Sequence, residues 1–263
     1  MCLIFLSLNN HPNYKLILAG NRDEFYNRKT ASANFWTDYP HIVGGRDLEA
    51  GGTWLAMTKG GRIAMVTNYR DPLNINPNAP SRGHLVSDFL ILNQRPDEYL
   101  RNISSNGKIY NGFNLIVGDV NELWYYSNYK QGIEKLSTGF YGLSNHLLET
   151  AWPKVLRGKE KLKPLMSNFT LDPETLFEFL YDDQVATDEV LPNTGLTLDR
   201  ERALSSMFIK TEGYGSRCST IVLVDKKNEV LFSERVYDPK TFQYTTQAFR
   251  FTATERLKLR PIR

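Results

Sequence analysis

The feature that most constrains this chain is the pairing of short apolar runs around turn-forming residues. Cys2–Leu8 (CLIFLSL) and Tyr14–Gly20 (YKLILAG) are each of strand length, and Asn9-Asn10-His11-Pro12-Asn13 between them is dense turn chemistry. The spacing predicts a hairpin. Thr53–Met57 and Arg62–Thr67 flank Lys59-Gly60-Gly61, and Phe113–Gly118 and Glu122–Ser127 flank a Gly-Asp-Val-Asn turn, predicting two more. Ser219–Val224 and Glu229–Val236 make a fourth around Lys226-Lys227-Asn228, and Phe242–Phe251 alternates loosely enough to be a last strand.

Helical spacing appears between these pairs. Leu85, Phe89 and Leu92 recur at steps of four and three, and Arg95-Pro96 separates one helix from the next. Trp152–Leu165 and Pro173–Leu180 read as helices, the latter through Leu176, Phe177, Phe179 and Leu180. The segment Asn21–His41 is polar and aromatic with no clean period and reads as a long loop. Antiparallel hairpins with helices grouped between them predict an α+β layered fold rather than a doubly wound sheet. With no internal repeat or low-complexity linker, residues 1–263 are expected to form a single domain.

Charge and motif content narrow the function classes. Thirty-two basic residues against 29 acidic ones give a net charge of +3 with no basic run, so nucleic acid is not the expected partner. No GxGxxG follows a strand and no GxxxxGK[ST] is present, leaving nucleotide cradling without a motif. The two cysteines, Cys2 and Cys218, form neither a disulfide framework nor a CxxC pair, and a reducing compartment is expected. Cys2–Leu8 is short and lacks a basic segment before it, so it fits a first strand better than a secretion signal. No stretch approaches the roughly 20 apolar residues of a membrane span. A soluble, cytoplasmic protein is the expectation, with organelle association left open.

Against this background the position of Cys2 stands out. One reading is a small buried hydrophobe opening a strand, since free cysteine is among the most buried residue types. The other is a nucleophile. Removal of Met1 would give Cys2 a free α-amine, whose ordinary pKa of about 7.7–8.0 leaves part of it neutral and able to take the thiol proton. The thiolate would then attack an amide or thioester carbonyl. Such a site needs a group to hold the amine, and a hairpin brings the end of the second strand beside Cys2. There the chain reads Gly20-Asn21-Arg22-Asp23-Glu24-Phe25. Asp23 or Glu24 would accept from the ammonium, and Arg22 would depress the thiol pKa or pair with a substrate carboxylate. The competing reading is a solvated charged loop that forms its own salt bridges.

These residues also carry a resemblance. The Met-Cys start, the Asn21-Arg22-Asp23-Glu24 tetrad, GGTW (Gly51–Trp54) and TNYR (Thr67–Arg70) resemble the NRDE family, also called the transport and Golgi organisation protein 2 family. FNLIVGD (Phe113–Asp119), YGLSN (Tyr141–Asn145) and YGSRCSTIVLVD (Tyr214–Asp225) extend the match over nearly the whole chain. The resemblance implies a four-layer αββα sandwich of the N-terminal-nucleophile (Ntn) hydrolase type, similar to choloylglycine hydrolases and penicillin V acylases. It also links the chain to haem trafficking and to lipid and acyl-CoA homeostasis.

In those hydrolases the site uses an N-terminal cysteine, an Arg and Asp after the second strand, two asparagines and a later arginine. By resemblance Cys2 matches the nucleophile. The hydrolases' Arg-Asn-x-Asp pattern is not kept: aligning Asn-x-Asp favours Asp23 as the amine-binding carboxylate, and aligning on Phe25 favours Glu24. Asn68 and Asn145 match the two asparagines as oxyanion donors. The later arginine falls near Met207 by local alignment, which leaves Arg217 as the candidate substitute.

The resemblance leaves two function classes. One is a cysteine hydrolase or acyltransferase acting on a non-peptide amide or thioester and needing no cofactor. The other is a non-enzymatic carrier that uses the same cleft for a small-molecule or lipid-like ligand, with acyl-CoA or haem as its cargo. Haem would want an axial Cys, His or Met in an apolar pocket; Cys2, His84, His146 and Met65 qualify by type, and nothing in the sequence selects among them. The histidines His11, His41, His84 and His146 show no metal-ligand spacing, so no metal site is expected.

Overall fold

The computed structural model describes residues 2–254; Met1 and residues 255–263 lie outside it. Two antiparallel sheets form its centre. One has six strands in the order β10 (Gly139–Leu143), β1 (Cys2–Leu8), β2 (Tyr14–Phe25), β11 (Tyr214–Asp225), β12 (Glu229–Tyr237) and β13 (Tyr244–Thr252). The other has seven in sequence order: β3 (Thr30–Phe35), β4 (Ile42–Asp47), β5 (Leu55–Thr58), β6 (Arg62–Asn68), β7 (Phe113–Asp119), β8 (Leu123–Ser127) and β9 (Glu134–Lys135).

Strand alternation sorts the side chains into layers. Along β1 and β2, Ile4, Leu6, Leu16 and Leu18 face the second sheet and pack with Met57, Ile63, Met65 and Ile116. Their neighbours Leu3, Phe5, Ile17 and Ala19 face outward, where α3 (Pro153–Leu165) and α4 (Pro173–Leu180) cover them with Val155, Leu162, Leu176 and Phe177. On the far side, α1 (His84–Ile91) and α2 (Pro96–Asn106) cover Ala56, Ala64, Leu115 and Val117 with Leu85, Phe89, Leu90 and Leu100. The order is helix, sheet, sheet, helix, the αββα arrangement that the resemblance implied. Each of the buried Val, Leu, Ile, Met and Phe side chains among these contributes roughly 1.5–3 kcal/mol relative to exposure. One glycine fixes how closely α3 lies on its sheet: a Cβ at Gly158 would come within 2.0 Å of the Phe5 ring.

The predicted hairpins and helices are present, with several differences. The segment 21–41 is not one long loop: β2 continues to Phe25, and β3 follows after a short turn. The short, glycine-containing β4 and β10 were not anticipated. β11 begins at Tyr214, five residues ahead of the predicted Ser219, because its first residues pair with the extended end of β2. The last strand starts at Tyr244, since Phe242 adopts a left-handed φ of 55° that a strand cannot hold. In addition, Leu92 has extended backbone and ends α1 instead of extending it.

Candidate active site

The site forms where the two sheets part at the β1 and β2 ends. Cys2 opens β1 and pairs with Arg22 of β2, which pairs on its other side with Cys218 of β11; Cys218 in turn pairs with Val236 of β12. Directly opposed residues share a face, so these four make a row facing the second sheet. There they line a cleft of about 490 Å³. The opposite wall comes from the second sheet and its loops: Gly45–Asp47, Thr53, Trp54, Val66, Asn68 and Ala79–Gly83. Both cysteines are free and buried.

The GGTW stretch supplies part of that wall. Gly51 takes a left-handed φ of 80°, and a Cβ on Gly52 would meet the Gly83 carbonyl carbon at 2.4 Å. Only glycine lets this loop lie against the start of α1. Thr53 then locks the turn through its Oγ1, which donates to Gly45 O at 2.7 Å, and its amide, which donates to Gly83 O at 3.2 Å. Trp54 is thereby set in the cleft wall.

The tetrad is the end of a strand, so its side chains alternate. Arg22 and Glu24 line the cleft, 3.6 Å apart across Nη2 and Oε2. Arg28 lies 4.0 Å from Glu24 and binds Asp47 at 2.5 Å. Burial alone would raise the Glu24 carboxyl, but Arg22, the Phe25 amide and Arg28 help hold it below the ordinary glutamate value. Asn21 and Asp23 are buried on the other face. Asn21 Nδ2 donates to Leu180 O and Met207 O at 2.9 and 2.8 Å, and its Oδ1 accepts from Ser219 at 2.6 Å. Asp23 Oδ1 accepts from Ser216 Oγ at 2.6 Å. Burial pushes the Asp23 carboxyl up, against the opposing pull of Lys154, the Ser216 hydroxyl and Arg22.

Burial also pushes the Cys2 thiol up, to about 11, with Asp23 adding to the rise and Arg22 only partly opposing it. The expected depression by Arg22 therefore loses to desolvation. The thiol is protonated at neutral pH, and a nucleophile here needs a base at the moment of attack.

The other expected residues fall into distinct places. Asn68 ends β6 and lines the cleft wall across from Cys2. Asn145 is fully buried and does not line the cleft; its Nδ2 donates to the Asn68 carbonyl at 3.1 Å, so it touches the site through Asn68. Arg217 reaches the cleft edge, but its guanidinium is turned to the β2–β3 turn. Nη1 donates to Phe25 O, Tyr26 O and Arg28 O at 2.8, 3.2 and 2.9 Å, and Nη2 to Thr30 Oγ1 at 3.2 Å. That geometry makes it a clamp on the turn. His146 is engaged at both ring nitrogens, with Tyr69 at 2.7 Å and Thr150 at 2.9 Å, and Met65 is sealed in the core between the sheets.

Residues that the sequence did not flag complete the wall. Arg82 is bound to Gly112 O at 2.9 Å, and its charge acts on Glu24 and Cys2. Glu234 reaches across from β12 and accepts from the Ala33 amide at 2.6 Å, where β3 is bulged. The cleft thus gathers Arg22, Arg28, Arg46, Arg82 and Arg217 with Glu24, Asp47 and Glu234, and it also touches Asp23, whose Oδ1 is engaged by Ser216 on the other face. A single sequence gives no sign that these distant charges converge. Among the described residues no group of three or more His, Cys, Asp and Glu could hold a metal ion, and no helix is long and apolar enough to cross a membrane.

Residues 1–239 match the family model described as "Transport and Golgi organisation 2". The chain belongs to this family. Among its members, a transport and Golgi organization 2 homolog from Mus musculus is 36% identical over 276 residues, covering 96% of this chain and 99% of that protein. The Homo sapiens homolog is 35% identical with the same coverage, and the Drosophila melanogaster protein is 32% identical, covering 89% and 91%. Two solved structures show a more distant likeness. A Caenorhabditis elegans N-acylethanolamine-hydrolyzing acid amidase ortholog aligns over 84% of this chain and 92% of its own, with a TM-score of 0.49 and 13% identity. A mutant conjugated bile acid hydrolase from Clostridium perfringens aligns over 97% and 98%, with a TM-score of 0.48 and 9% identity.

Proposed function

We propose that the cleft is the active site of an N-terminal-nucleophile cysteine hydrolase or acyltransferase acting on a non-peptide amide or thioester. The observation that carries this reading is the placement of Cys2: the residue after the initiator methionine heads β1 in the wall of the charged cleft, opposite Asn68. With Met1 removed, the Cys2 α-amine takes the thiol proton as sulfur attacks the substrate carbonyl carbon. A C–S bond forms and the carbonyl π pair moves to oxygen, where the Asn68 side chain donates. Collapse breaks the C–N or C–S bond to the leaving group, which departs with the proton carried by the ammonium. Water, or an acceptor alcohol or amine, then resolves the thioester and frees Cys2. One oxyanion donor is worth roughly 2.7–4 kcal/mol in such a step.

Asp23 is the better holder for the amine. Glu24 already has Arg22 and Arg28 beside it, whereas the buried Asp23 is held in place by the Ser216 hydroxyl. The mixture of guanidinium groups with Trp54, Val66 and Val236 suits a ligand with an apolar acyl part and a polar or anionic end.

The test uses untagged protein incubated with acyl thioesters of N-acetylcysteamine and with N-acyl 4-nitroanilides, followed by acid quench and mass spectrometry of the N-terminal peptide. An acyl adduct on Cys2, absent from Cys2→Ala, is the expected result. Retention of such ligands without any adduct would overturn the enzyme reading and leave a carrier of lipid-like, acyl-CoA or haem cargo.

A further inference from the structure

Five arginines line the cleft, and their donors are not equally engaged. Three are committed to the protein itself. Arg28 binds Asp47 at 2.5 Å, Arg46 binds Asp38 at 2.6 Å, and Arg217 holds the carbonyls of the β2–β3 turn. Arg22 and Arg82 differ from these. Arg22 approaches Glu24 only to 3.6 Å, beyond hydrogen-bond distance, and its guanidinium donates no hydrogen bond within the described residues. The Arg82 guanidinium makes one hydrogen bond, from Nη1 to Gly112 O at 2.9 Å, and among the described residues it forms no ion pair. The charge of Glu24 is divided among Arg22, Arg28 and Arg82, so it neutralises none of them fully.

The single bond of Arg82 fixes where its remaining donors lie. Gly112 O also accepts from the Tyr69 amide at 2.9 Å, and Tyr69 directly follows Asn68 at the end of β6. Both donors meet at one oxygen, which tethers the guanidinium beside Asn68, on the wall across from Cys2 and Arg22. A guanidinium carries several N–H donors in a rigid fork, and here only one is used. Ser81 lines the same wall; its Oγ accepts from the Gly83 amide at 3.3 Å, which leaves the hydroxyl hydrogen to donate. A carboxylate or phosphate offers paired acceptors that match the fork, and it gains again from the second cation on the facing wall. A neutral amide or alcohol has no such match. In a half-enclosed cleft that difference is screened less than at an open surface.

We propose that Arg82, with Arg22 facing it, is the anion-binding element of the cleft and selects ligands that carry a carboxylate or phosphate a few bonds from the carbonyl beside Cys2. The inference deepens the proposed function and rests on it in taking this cleft as the ligand site. Arg82 sets which ligands enter and stay; the thiol chemistry belongs to Cys2.

The test measures equilibrium binding to Cys2→Ala protein, which lacks the thiol that would be acylated, by isothermal titration calorimetry. Three probes share a decanoyl chain. N-decanoylglycine carries a carboxylate, N-decanoyl-O-phosphoethanolamine a phosphate, and N-decanoylglycinamide is the neutral counterpart of the first. At least one anionic probe is expected to bind about tenfold or more tightly than the neutral one, and Arg82→Gln in the same background is expected to abolish that preference. The anionic probe with the larger Arg82-dependent preference identifies the group. No preference for either anionic probe, or a preference unchanged in Arg82→Gln, would overturn the proposal. Should Arg82→Gln fail to fold, Arg82→Lys keeps a cation but loses the paired donors, and the preference is expected to fall at least about threefold; an unchanged preference would again overturn it. The two readings also fail separately. Arg82-dependent binding without an acyl adduct on Cys2 of the unaltered protein removes the hydrolase reading alone, and an adduct together with charge-blind binding removes this inference alone.

Discussion

The two faces of one short strand end, Asn21-Arg22-Asp23-Glu24, live in different solvents. Arg22 and Glu24 open onto the cleft, and the half-buried Arg28 guanidinium lies nearby. Asn21 and Asp23 are 0% and 1% exposed and are engaged by backbone carbonyls and hydroxyls. The cleft face is therefore adjustable and screened, and the helix-layer face is fixed and unforgiving. A strand period of two performs this sorting without any intervening element. One wall can thus present charge to a ligand while its reverse side anchors the sheet.

The sharpest break of this contrast is Asn21→Ala. It removes the donor from Leu180 O and Met207 O and the acceptor from Ser219 in one step, leaving buried polar groups unpaired. A loss of about 3 kcal/mol or more is expected, measured by urea unfolding with an unchanged denaturant slope. Next is Arg217→Met, which frees three carbonyls of the β2–β3 turn. It should cost about 1–3 kcal/mol and raise amide exchange across residues 26–30, while the core strands stay protected.

The pH dependence of stability should carry opposite signs on the two faces. The Asp23 carboxyl is raised in the folded state by burial, so its contribution is fully present below its ordinary value of 3.8 and is lost as pH rises through the folded value. Asp23→Asn should remove that decline. The Glu24 carboxyl is lowered, burial being outweighed by its cationic neighbours. Its contribution is present above the ordinary 4.5 and is lost as pH falls through the folded value. Glu24→Gln should flatten the acid side only. Stability curves that change in the same sense in both variants would dissolve the distinction between the faces. The smallest effect is Glu24→Gln at neutral pH, expected to change stability by less than about 1 kcal/mol because the neighbouring arginines retain Asp47 and solvent.

The hairpins were legible because both of their faces are apolar or cleanly alternating, as in β1 and β6. The segment after Gly20 was not, for the reason that makes it functional. With one face on a polar cleft and the other in a buried polar network, the end of β2 offers no hydrophobic period to count. β4, with its Gly44-Gly45 pair, likewise offers no run of apolar residues long enough to read as a strand. Cys2, Arg22, Asp23, Glu24 and Asn68 were visible as candidates, and the structure gathers them around one cleft. Asn145 and Arg217 were visible as residue types, but Asn145 reaches the site only through the Asn68 carbonyl and Arg217 bonds the β2–β3 turn. Arg82 and Lys154 carried no signal at all. A lysine in the first turn of a basic helix reads as solvated, and only the packing of α3 on the sheet shows that it is buried.

The account stands on Cys2 serving as its own base, and the most direct measurement is the intact mass of untagged protein from a host with working methionine aminopeptidase. It predicts a mass short by one methionine, with Cys2 as the first residue. Quantitative retention of Met1 would convert the base into an amide and contradict the mechanism outright.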